Sequence, residues 1–91
     1  MEVRWSPQAA ADFTQIIQYI RKENASAALR VARTIYARVA QLKEFSNRGR
    51  PGREEGTREL VFAPLPFVLV YRVKDNFVEI ARVLHGAQRW P

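Results

Sequence analysis

The 91-residue chain has no cysteine, so no disulfide staples it and no thiolate metal site exists. Its single histidine, His85, excludes a multi-histidine metal centre, and no metal or other cofactor is expected. No apolar run approaches the roughly 18 residues of a membrane span. The opening MEVRWSPQ lacks the apolar core of a signal peptide, so the cytoplasm is the expected compartment, without membrane attachment. The four glycines include Gly-Arg-Pro-Gly, which lacks the spacing of a phosphate-binding GxxxxGK[ST] loop. Acid is scarce: nine Asp+Glu face fifteen Lys+Arg, a net charge of +6. Such a surface selects nucleic acid, the ribosome or an acidic protein segment as partner.

What is present describes one small folded domain spanning 1–91. Hydrophobic residues make up 47%, too many for a disordered chain. Twelve of the fifteen basic residues are arginine, whose planar fork suits phosphate and carboxylate. At this length about 60–65% of the unfolded surface can be buried.

Val3-Arg4-Trp5 alternates as a short first strand. Ser6-Pro7 then reads as an N-cap with proline at the first helical position. From there Ala9, Phe13, Ile16, Ile17 and Ile20 share one stripe of a helix over 7–22. Asn24 or Ser26 caps a second helix over 25–45, with Ala28, Val31, Ala32, Ile35, Val39 and Leu42 on its stripe. Leu29 and Tyr36 form a ridge beside that stripe, suited to packing or to a partner. The connection is short, so the helices form an antiparallel hairpin.

Residues 46–56, SNRGRPGREEG, have no apolar side chain and read as a loop. Strands are expected over 57–62, 67–73 and 77–85, with a turn at 63–66 and Asp75-Asn76 as a tight hairpin turn. That hairpin pairs Val73 with Val78, Arg72 with Glu79, Tyr71 with Ile80 and Leu69 with Arg82. Alternation then places Phe67, Leu69, Tyr71, Val73, Val78, Ile80 and Leu84 on the core face. Val68, Val70, Ala81, Val83 and His85 fall on the opposite, mixed face. Arg82 is a misfit on the apolar face, and snorkelling or an ion pair with an acid such as Glu59 would resolve it. The expected class is α+β, in the order β-α-α-β-β-β, with the helix hairpin on one face of a mainly antiparallel sheet.

The ordered set SPQA, TREL, PFVLVYRV and VEIARVLHGA resembles the RelE/ParE superfamily of type II toxin–antitoxin toxins, and its ParE branch most closely. The likeness runs over essentially the whole chain. It implies a toxin neutralised by a cognate antitoxin with an acidic amphipathic segment, as a hetero-oligomer. ParE-type relatives poison DNA gyrase, whereas RelE-type relatives cut mRNA on the ribosome.

Cleavage without a metal needs a base, an acid and cations that hold the phosphate. RelE-type relatives place an arginine just before the Leu-Val-Tyr of the third strand, where this chain has Val68. They place another beyond the fourth strand, where Gly86 and Ala87 stand, and many carry a tail tyrosine that is missing here. The resemblance therefore implies gyrase inhibition by binding. The alternative is a ribosome-dependent endoribonuclease using His85, Arg58 and Arg82, and a third reading is a non-toxic relative that only binds its antitoxin. The candidates for target or partner binding are Arg58, Arg72, Arg82, His85, Arg89 and Trp90; those for antitoxin binding are Leu29 and Tyr36. Trp90 serves equally as an exposed plate or as a cap on the core.

Overall fold

The computed structural model describes residues 1–86 and 88–90. Ala87, one of the two residues that stand at the relatives' tail-arginine position, and Pro91 lie outside these residues. The elements are β1 (Glu2–Trp5), α1 (Pro7–Glu23), α2 (Ala25–Gln41), β2 (Arg50–Pro51), β3 (Arg58–Val61), β4 (Phe67–Val73) and β5 (Phe77–His85). They form one sheet in the order β1-β5-β4-β3-β2, with β1 parallel to β5 and the other pairs antiparallel. The α+β architecture and the helix hairpin are those expected from the sequence.

Both helices begin where side-chain chemistry caps them. Ser6 Oγ accepts the Ala9 N–H at 3.0 Å, satisfying one of the free donors of the first turn. The same hydroxyl donates to Ala81 O at 3.0 Å, tying the helix start to β5. Asn24 ends α1, its N–H bonding Ile20 O at 2.9 Å, and starts α2, its Oδ1 accepting the Ala27 N–H at 3.0 Å. One residue thus makes the whole connection. The second helix ends at Gln41, not at 45. From Leu42 to Glu44 the N–H groups bond three residues back, at 3.0–3.2 Å, which tightens the chain out of the helix.

The loop over 46–56 contains an unexpected edge strand, in which Arg50 pairs with Glu59 and Pro51 with Arg58. Long-range bonds hold it there. Tyr71 Oη donates to Ser46 O and accepts the Gly49 N–H, both at 2.8 Å. A Cβ at Gly49 would lie 2.8 Å from the Tyr71 ring and 2.9 Å from Glu59 O, so only glycine lets the loop approach this closely.

The main core joins Ala9, Ile35, Val39 and Leu42 to Phe67, Leu69, Tyr71, Val78 and Ile80, with Phe13, Ile16 and Ile20 packed against it. The expected sheet faces need correction at Val73, Arg82, Val83, Leu84 and His85. The register runs as expected from Val73↔Val78 to Tyr71↔Ile80, and then Ala81 is skipped, so that Val70 faces Arg82 and Leu69 faces Val83. This bulge exchanges the faces of β5 beyond it. Val83 joins the main core, while Leu84 joins Val70 and Ala81 in a second cluster that Trp90 covers. Val73, expected in the core, is 36% exposed near the hairpin end.

Candidate partner-binding surface

The bulge also decides the position of Arg82. Where β1 stops, Ser6 N–H bonds Ile80 O and α1 crosses the free edge of β5. There Asp12 accepts from Arg82 Nε at 2.7 Å and Nη2 at 3.1 Å, and from the Val83 N–H at 3.0 Å. The buried carboxylate thereby completes an edge donor and holds a guanidinium in a two-point grip. That grip keeps the Arg82 guanidinium above its usual range, more than offsetting its partial burial. The partner of Arg82 is therefore Asp12, 70 residues away, and not Glu59.

Glu59 has its own cations. Its carboxylate accepts from the Arg53 N–H at 2.9 Å, from Arg53 Nε at 3.1 Å and from Arg50 Nη2 at 3.3 Å. Burial pushes this carboxyl up, but these hydrogen bonds outweigh it and hold it below the usual carboxylate range.

Arg58 and Arg72 are also engaged. Arg58 Nη1 donates to Gly49 O at 2.7 Å and Asn47 O at 3.3 Å, fastening the loop. Arg72 lies between Glu79 at 3.7 Å and Glu54 at 3.5 Å. The cross-hairpin pair with Glu79 is the one the register suggested; the loop acid Glu54 adds a second partner.

His85 ends β5 opposite Phe67, whose ring it meets edge-on at 6.0 Å. Arg58 sits opposite Tyr71. Tyr71 and Phe67 are four residues apart on β4, which at a strand's rise is about 13 Å. Arg58 and His85 thus start from positions well separated along the sheet, and Arg82, opposite Val70, lies on the other face from His85. Among the described residues, no group of three or more His, Asp or Glu side chains is placed to hold a metal ion. No helix there is long and apolar enough to cross a membrane.

The exposed apolar surface lies elsewhere. A cleft of about 420 Å³ is bounded by Ile16, Tyr19 and Ile20 of α1, Val31 of α2, and Phe67 and His85 of the sheet. A second cleft, of about 440 Å³, shares Val31 and Leu65 with it and adds Phe62, Arg30 and Arg38. Together they form one seam along α2 and the β3–β4 turn, apolar in the middle and cationic at one end. Arg38 stands 5.6 Å from the Phe62 ring and donates to Val61 O at 3.3 Å. Tyr19 is 73% exposed at the seam's rim, and sequence reading missed it because it falls just off the α1 stripe.

Leu29 and Tyr36, the ridge residues, are 52% and 55% exposed. Tyr36 also packs against Phe13 at 5.0 Å and Trp5 at 5.7 Å, so its ring is fixed while its edge stays open. Arg89 is exposed. Trp90 is half-buried over Val70, Ala81 and Leu84, with the Arg82 guanidinium 5.7 Å from its ring.

Against this geometry the relatives are informative. Residues 3–90 match the family model of the ParE toxin of type II toxin–antitoxin system, parDE. The chain is 42% identical to the putative toxin Y4kP of Sinorhizobium fredii, over 98% of this chain and 92% of that one. It is 38% identical to Toxin RelE2 of Caulobacter vibrioides, over 96% of this chain and 97% of that one. The fold superposes with a TM-score of 0.85 and 30% identity on a structure described as a chromosomal ParDE TA system from P. aeruginosa, covering 93% of this chain and 95% of that chain.

Proposed function

The chain belongs to the ParE toxin family of type II toxin–antitoxin systems, and from that premise we propose that it stops growth by binding DNA gyrase, without bond-breaking chemistry of its own. One observation carries this reading. Arg58 and Arg82, the cations a cleavage reaction would recruit, are spent on the loop backbone and on Asp12, and neither lies with His85. Proton transfer without a held phosphate has nothing to act on.

Neutralisation by the cognate antitoxin is assigned to the seam. An amphipathic segment would bury its apolar side on Val31, Leu65 and Phe67 and set its acids against Arg30 and Arg38. The net +6 would speed its capture. The ridge of Leu29 and Tyr36 is a second antitoxin contact, and the tail bearing Arg89 and Trp90 is the target-facing element.

Supercoiling by purified gyrase in the presence of the toxin tests the target, and primer extension on mRNA from expressing cells tests the alternative. Inhibited supercoiling with uncut transcripts is expected. His85→Ala should stay toxic, and removal of residues 88–91 should weaken toxicity. Codon-phased cuts that vanish in His85→Ala would replace this reading with a ribonuclease.

A further inference from the structure

We propose that residues 88–90 form a detachable strap. In the free protein Trp90 roofs the second face of the sheet; it leaves that seat while the rest of the fold stays intact, and only then presents its indole and Arg89 together. The last clause rests on the target reading above; the strap itself does not.

The seat is small and built by the body of the fold. Its floor is Val70, Ala81 and Leu84, and among the described residues the partly buried hydrophobic side chain packed against it is Trp90. Its wall is Arg82, 5.7 Å from the indole and fixed by Asp12, so the platform persists when the indole departs. The indole itself is poorly tied. Its Nε1–H is shielded from water with no acceptor among the described residues, so seating forfeits a hydrogen bond that solvent supplies on release. Among the described residues, the tail's hydrogen bonds are those of Gln88, whose N–H donates to His85 O at 2.9 Å and whose Oε1 accepts the His85 N–H at 2.8 Å. None ties Arg89 or Trp90. Apolar contact on one side, a forfeited donor and, beyond Gln88, no hydrogen bond among the described residues place this segment at the low end of the range of local opening free energies.

Trp5 is the built-in contrast. It sits in the register of β1 opposite Ile80 and packs edge-on against Phe13 at 5.5 Å. It can lose its environment only when the fold does.

The two tryptophans make the test direct. The whole toxin is labelled with 5-fluorotryptophan, and both fluorine resonances are followed through a urea titration alongside far-UV circular dichroism. Trp90→Phe assigns the signals. The expected result is that the Trp90 resonance moves to its solvent-exposed position at lower urea than the Trp5 resonance and the dichroism, which move together. Leu84→Ala, which shrinks the floor, should shift the Trp90 transition further down while Trp5 still reports a folded core. Coincident movement of both resonances with the dichroism overturns the strap, and so does a Leu84→Ala variant in which the Trp90 signal follows Trp5. Gyrase inhibition is scored separately. A strap that opens first, in a toxin whose inhibition survives loss of residues 88–91, keeps the strap and discards the target reading.

Discussion

The face of the sheet that carries Leu69, Tyr71 and Ile80 lies under two helices, whereas the face that carries Glu59, Val70 and Arg82 lies under one indole and a set of ion pairs. Neighbours across the strands share a face, so Arg50, Glu59, Val70 and Arg82 make one row of that second side. Hydrophobic contact is non-directional and indifferent to pH. Ion pairs are directional, and the carboxylate must stay ionised. One protein thus holds its two sides by different means, and variants on each side should fail differently.

The largest loss is expected on the helix-covered side. Leu69→Ala, at a fully buried position, should cost about 2–5 kcal/mol in urea unfolding and little else, because the cavity cannot be refilled. On the other side Arg82→Ala leaves the buried Asp12 carboxylate with the Val83 N–H alone. A cost of about 3 kcal/mol follows, and Asp12→Asn with Arg82→Gln together should recover part of it, since a neutral pair strands no charge. If the double variant is no more stable than Arg82→Ala, the two sides are not held differently.

A smaller effect separates the sides by pH. The depressed Glu59 carboxyl binds protons less readily when folded than when unfolded. Its contribution is therefore present above the ordinary value of 4.5 and lost as pH falls through the folded value. Urea midpoints of the parent should drop across that acid range, while those of Glu59→Gln should drop less. An equal drop in both proteins would remove Glu59 from the account. The smallest effect concerns Tyr71 Oη, whose burial raises it despite the Gly49 N–H and the nearby Arg58. Stability owed to the neutral phenol is present below pH 10.0 and lost above it. Tyr71→Phe should flatten that alkaline loss at a cost of about 1–3 kcal/mol near neutrality, from the stranded Gly49 N–H and Ser46 O.

The helix-covered side was the more legible in the sequence. Ser6-Pro7 and the stripes of Ile16, Ile20, Ile35 and Val39 are local signals, readable at a period of 3.6 residues. Beyond Ile80 legibility fails. The extra residue in FVEIARVLH leaves one mark on its alternation, Arg82 as a misfit on the apolar face, and that mark does not locate the bulge because Ala81, Val83 and Leu84 are compatible with either face. Ala81 as the bulge follows from Ser6 bonding its carbonyl and Asp12 bonding the next residues, contacts at separations of 70 to 75 residues. Likewise Arg50-Pro51 has no strand propensity of its own and pairs because Glu59 and Tyr71 hold it. For the candidate site, the sequence yielded the arginines and the Arg72–Glu79 pair but not the internal partners of Arg58 and Arg82, and it missed the seam, which exists only once α1, α2 and the β3–β4 turn are assembled.

The single-residue join at Asn24 carries a consequence for how this chain can change over time. A helix advances about 100° per residue, so one residue added there would rotate the phase of α2 by more than a quarter turn. Ile35 and Val39 would swing off the sheet and Arg38 would swing toward it. The length of that joint is therefore a fixed parameter of the fold, whereas substitutions that merely retain a cap remain open to drift.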